Sequence, residues 1–168
     1  MQKYDAAVNK YGDGAVALSN TGKVDEFKID WESMDGSISD VYILAHGKNQ
    51  SINFANDDST REQITSTGTG KTNLSGVPAT NLDSIHTPKG NISSATLHLN
   101  TCHSMDPDIE PHGIGVHKQG AVLHGKIIGK AFYEQFNFKK VIGSKGSFNY
   151  YPILLWEKPQ ERTGLKRK

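Results

Sequence analysis

The sequence predicts an α/β domain built on a largely parallel sheet, and three segments predict it. Residues 40–45 (DVYILA) form a continuous apolar run with β-branched and aromatic side chains, stopped by His46 and Gly47, the pattern of a strand buried on both faces. Residues 95–101 (ATLHLNT) alternate Leu97 and Leu99 with Thr96, His98 and Asn100, and end at Cys102, which reads as a second strand. Residues 121–136 (AVLHGKIIGKAFYEQF) then carry apolar side chains at helical spacing, and an amphipathic helix between strands is the connection that parallel pairing requires.

The other segments follow from local patterning. Residues 14–19 (GAVALS) and 24–31 (VDEFKIDW), separated by Asn20, Thr21 and Gly22, predict a hairpin or two early strands. Residues 48–71 are rich in Asn, Asp, Ser, Thr and Gly and predict an exposed excursion with room for a short helix over 59–64. Residues 105–120, with Pro107 and Pro111, predict a loop. The helix predicted over 121–136 includes Gly125 and Gly129, and its stripe of Leu123, Ile127, Ile128, Ala131 and Phe132 is the face packed on the sheet. Residues 139–144 (KKVIGS) and 148–156 (FNYYPILLW) predict further strands, and the charged tail 158–168 a frayed end.

Size and composition narrow the functional classes. The 168 residues suit one domain, 1–168, with one core. Nineteen basic against eighteen acidic side chains leave a net charge of +1, so no global field favours nucleic acid or an anionic membrane. The mean hydropathy of −0.55 with seventeen glycines describes a polar, loop-rich chain. A single cysteine excludes an intrachain disulfide. Residues 1–10 are polar, without the apolar core of a secretion signal, and no apolar run is long enough to span a bilayer. A soluble domain is therefore expected, with its location left open between cytoplasmic action and a secreted module.

The two clearest strands each deliver a reactive residue at the C-terminal end, where catalytic groups collect in open α/β sheets. A thiol is mostly protonated at neutral pH and needs a neighbouring base to become a nucleophile. His46 is placed to be that base for Cys102. Gly47 lets the backbone approach a substrate, so its N–H could join that of Cys102 in holding the oxyanion of a tetrahedral intermediate.

At these residues the chain resembles the caspase-like cysteine peptidases, in which one apolar strand ends in His-Gly and a second in Cys. The 56-residue separation of His46 and Cys102 is of the size that family uses, and Thr101-Cys102-His103-Ser104 looks like the metacaspase D-x-C-H-S-G segment. The likeness covers mainly 41–48 and 95–104. It implies a three-layer α/β/α domain with a central, mostly parallel sheet. It further implies a Cys–His dyad with Cys102 as nucleophile and His46 as general base and acid, an oxyanion hole of Gly47 and Cys102, and no cofactor or metal. The acidic residue two positions before the metacaspase nucleophile is Asn100 here, and the glycine after Cys-His-Ser is Met105, which removes the simple expectation of Arg or Lys substrates. The strand and loop after the post-cysteine helix line the substrate pocket in that family, which implies substrate-binding roles for Ser144 and Lys145 beside Asn100, with Lys145 favouring an acidic or carbonyl-rich partner. The partners implied are a protein or peptide substrate and, for an effector or toxin module excised from a larger protein, an inhibitor or immunity protein.

Blander readings stand beside these. Cys102 could be a small buried hydrophobe and His46 a strand cap, and the whole could be a catalytically inactive binding module or a toxin of non-peptidase chemistry. Residues 65–72 (TSTGTGKT) imitate a phosphate-binding loop, but Thr65 stands at the first glycine position and no apolar strand precedes it; a surface loop is the simpler expectation. His98, His103, His112, His117 and His124 match no common metal spacing. Asp106, Asp108 and Glu110 read as a solvated acidic loop rather than a calcium site.

Overall fold

The computed structural model describes residues 5, 8–10, 12, 16–54, 62–66, 77–105 and 127–146, and the backbone of 162–166. Among these described residues the fold is mixed α/β, with two four-stranded sheets. The first contains β1 (Asp40–Leu44), β6 (Thr96–Asn100) and β7 (Lys140–Ser144), all parallel, with β8 (Arg162–Lys166) antiparallel to β7, in the order β1-β6-β7-β8. The second is ordered β2 (His46–Lys48), β3 (Ser51–Phe54), β4 (Glu62–Thr65) and β5 (Ala79–Asn81), with only β4 and β5 parallel.

Helix α1 (Val24–Ser33) replaces the strand expected over 24–31. The apolar residues Val24, Phe27, Trp31 and Met34 recur at helical spacing, and all four join the core. The Glu62 carboxylate accepts from the Val24 N–H at 2.8 Å, satisfying a donor that the first turn leaves unpaired. Among the described residues of 14–19, 16–19 form neither strand nor helix.

The core gathers around Trp31. Its ring meets Phe132, Phe136 and Phe138 edge-on at centroid distances of 5.6, 5.0 and 6.0 Å, and its indole N–H donates to the His86 carbonyl. Phe132 and Phe136 lie on α2 (Ile128–Phe136), which ends at Asn137 in the left-handed region, φ 55°. The helix expected from 121 begins at Ile128, because Ile127 is extended with ψ 141°; residues 121–126, Leu123 among them, lie outside the described residues. Leu97, Leu99 and Val141 supply the sheet side of this core.

Three other expectations are corrected. β1 is not buried on both faces: Ile43 points inward, while Tyr42 and Leu44 are 51% and 57% exposed, as alternation on a one-sided outer strand requires. The stretch 48–71 is not a plain exposed excursion, since β3 and β4 bury Ile52, Phe54 and Ile64; the end of the helix allowed over 59–64 is strand β4. Within the tail expected to fray, Arg162–Lys166 pairs along the whole of β7. The loop predicted over 105–120 lies outside the described residues apart from Met105, which is buried, and the strand predicted over 148–156 lies wholly outside them. Among the described residues no helix is long and apolar enough to cross a membrane.

Candidate functional site

Parallel pairing of β1 with β6 sets Leu44 opposite Asn100, and His46 and Cys102 each follow two residues later. Both therefore leave the same end of the sheet from adjacent strands, whose spacing is about 4.8 Å. A second contact fixes the approach. The Gly47 backbone lies on Thr101, the residue before Cys102, so closely that a Cβ at Gly47 would sit 3.1 Å from the Thr101 Cβ and 2.6 Å from the Ser51 carbonyl oxygen. Here glycine is required by space. His46 is exposed and Cys102 partly exposed, so both can meet a ligand.

The chain does not stop at His46 but turns into the second sheet. β2 and β3 form a hairpin over Asn49 and Gln50, pairing Lys48 with Ser51, Gly47 with Ile52 and His46 with Asn53. The pair closing a two-residue turn is the narrow, hydrogen-bonded kind, so alternation makes Gly47–Ile52 the wide pair. The Gly47 N–H thus points out of the hairpin.

On the other side, residues 101–105 form a turn in which His103 takes φ 54°. The His103 N–H donates to the Gly146 carbonyl at 2.8 Å and the Met105 N–H to the Ser144 carbonyl at 3.0 Å. The Ser104 hydroxyl, fully buried, accepts from the Ser144 N–H at 3.0 Å and donates to the Leu99 carbonyl at 3.3 Å. The turn that carries Cys102 is thereby laced to the end of β7.

The first turn of α2 joins the two halves. Its Ile128 N–H donates to the Asn49 carbonyl at 2.7 Å, in the hairpin that carries His46, and its Gly129 N–H donates to the Ser104 carbonyl at 3.0 Å. Two donors that a helix start leaves unpaired thus hold both candidate catalytic segments. Met105 packs so tightly over Gly129 and Gly143 that a Cβ at either would collide with its side chain.

Of the residues expected to bind substrate, Lys145 is exposed, whereas Asn100 and Ser144 are each only 3% exposed. His98 is engaged elsewhere: its Nε2 lies 3.0 Å from Asp40 Oδ1, and its ring stacks on Tyr42 at 4.3 Å. His112, His117, His124, Asp106, Asp108 and Glu110, with residues 67–72 of the loop resembling a phosphate binder, lie outside the described residues. Among the described residues no three metal-binding side chains gather. Sequence reasoning passed over Asn49, Ser104 and Gly129. The signal for Gly129 was a glycine inside a helical pattern, which marks a close approach; Asn49 acts through its carbonyl, which no residue type reveals.

No protein-family model matches the chain, nor does any curated protein or solved structure.

Proposed function

We propose that the chain is a caspase-like cysteine endopeptidase working through Cys102 and His46. The observation that carries this reading is the equal offset of the two residues beyond the paired Leu44 and Asn100, with Gly47 seated on Thr101. His46 takes the proton from the Cys102 thiol, and the thiolate attacks the carbonyl carbon of a peptide bond. The N–H groups of Gly47 and Cys102 hold the oxyanion. His46 then protonates the leaving amine, and a thioester remains on Cys102 until water, deprotonated by His46, releases the acid.

The three-layer α/β/α arrangement belongs to this proposal. Its support is the run of three parallel strands with α1 and α2 meeting through Trp31, Phe132 and Phe136 beside them; a further layer would cover the face shared by Tyr42 and His98. Substrate choice follows from the same end of the sheet. Asn100 offers no charge to an Arg or Lys side chain, and exposed Lys145, next to Gly146 against the Cys102 turn, favours acidic or carbonyl-rich segments. Action as an effector or toxin module is the biological setting we attach to this chemistry.

Thiol alkylation separates the enzyme from an inactive binding module of the same fold. Cys102 should react with iodoacetamide at neutral pH about tenfold or more faster than a model thiol, and His46→Ala should remove that advantage. A rate equal to the model thiol, unchanged by His46→Ala, would favour the binding module.

A further inference from the structure

We propose that Ser104 is a positioning residue for the nucleophile: its buried hydroxyl bridges the parting ends of β6 and β7 and so fixes the turn that presents Cys102. This rests on Cys102 being the nucleophile. The β6–β7 ladder ends at the pair His98–Ile142. Beyond that pair the register of β6 with β7 stops, short of the Leu99 carbonyl on one strand and the Ser144 N–H on the other. Parallel strands that separate in this way leave backbone groups needing satisfaction. The Ser104 hydroxyl enters the gap and meets one group from each side, donating to the Leu99 carbonyl and accepting from the Ser144 N–H. The Met105 and His103 N–H groups continue the pairing onto the Ser144 and Gly146 carbonyls, so the turn acts as a substitute strand along β7.

Space reinforces the assignment. Gly143 lies against the Ser104 hydroxyl with no room for a Cβ, so the seam admits a side chain of serine size and little more. The Ser104 carbonyl also receives the Gly129 N–H, next to the Ile128 N–H that holds the hairpin of His46. Ser104 therefore ties the nucleophile turn both to β7 and, through the start of α2, to the segment of the base. Being fully buried, it acts through Cys102 and touches no substrate.

The test combines turnover with amide exchange, using a peptide that spans the strongest cleavage site found in a digest of a denatured proteome. Ser104→Ala should lower kcat about 10- to 100-fold while KM changes by less than about threefold, because a misplaced nucleophile slows chemistry without weakening docking. Gly143→Ala, which pushes on the same hydroxyl from the opposite side, should give the same split. In the wild type the amides of Ser144 and Met105 should exchange as slowly as those of Leu97 and Val141, and Ser104→Ala should speed exchange at Ser144 about tenfold or more with Leu97 unchanged. Wild-type exchange at Ser144 and Met105 as fast as in an open loop overturns the proposal even if neither variant folds. Turnover lost in Cys102→Ala but kept within about twofold in Ser104→Ala overturns this proposal alone; turnover that survives Cys102→Ala overturns the peptidase reading and this one with it.

Discussion

Gly47 shows how much a single position can carry. It follows the candidate base, lies against Thr101, and leaves no space for a Cβ before the Ser51 carbonyl. Replacing it with alanine must distort the hairpin itself, since the obstructing atom at 2.6 Å is the Ser51 backbone carbonyl oxygen, while a Cβ only 3.1 Å from the Thr101 Cβ also presses on the Cys102 turn. Gly47→Ala should therefore lower kcat/KM about 100-fold while far-UV circular dichroism stays unchanged; turnover at the wild-type level would show that the close approach is incidental. His46, Gly47 and Cys102 were visible in the sequence as candidates because the proposed chemistry uses their residue types. Ser104 and Asn49 were not, because a buried hydroxyl bridging two backbones and a carbonyl capping a helix look like ordinary loop residues.

Among the elements, β1, β6 and β7 were legible because each is an unbroken or alternating run of apolar and β-branched side chains. Helix α1 was misread for a physical reason: its apolar residues satisfy the helical period through Val24, Phe27 and Trp31, yet the short window VDEFKIDW also alternates. Strands β3 and β4 were hidden because four residues with one or two apolar side chains, as in SINF and EQIT, give too few periods to stand out from polar surroundings. Helix α2 carries the heaviest packing, with Phe132 fully buried against Trp31. Phe132→Ala should cost about 3–5 kcal/mol, measured as a lower urea midpoint at constant slope; a loss under about 1 kcal/mol would place the core elsewhere.

At the scale of the whole molecule, one continuous core links both sheets, so the hairpin bearing His46 and the turn bearing Cys102 belong to one body. The second sheet was not legible in the sequence, because it is assembled from pieces that each look like loop. The closing strand β8 was equally hidden: RTGLK is polar, and only the open edge of β7 makes it a strand. Removing residues 162–168 uncovers that edge, and uncovered edges template association. By light scattering the truncated chain should form larger assemblies than the full chain; the same size for both would mean that β7 is protected in another way.

The central claim is that Cys102 and His46 act together on peptide bonds, and the most direct measurement is the set of new protein N-termini produced in a denatured proteome. The wild type should generate a defined set of cleavages, and Cys102→Ala and His46→Ala should each reduce their rate about a thousandfold or more. The same cleavages from Cys102→Ala, or none above background from a folded wild type, would contradict the account.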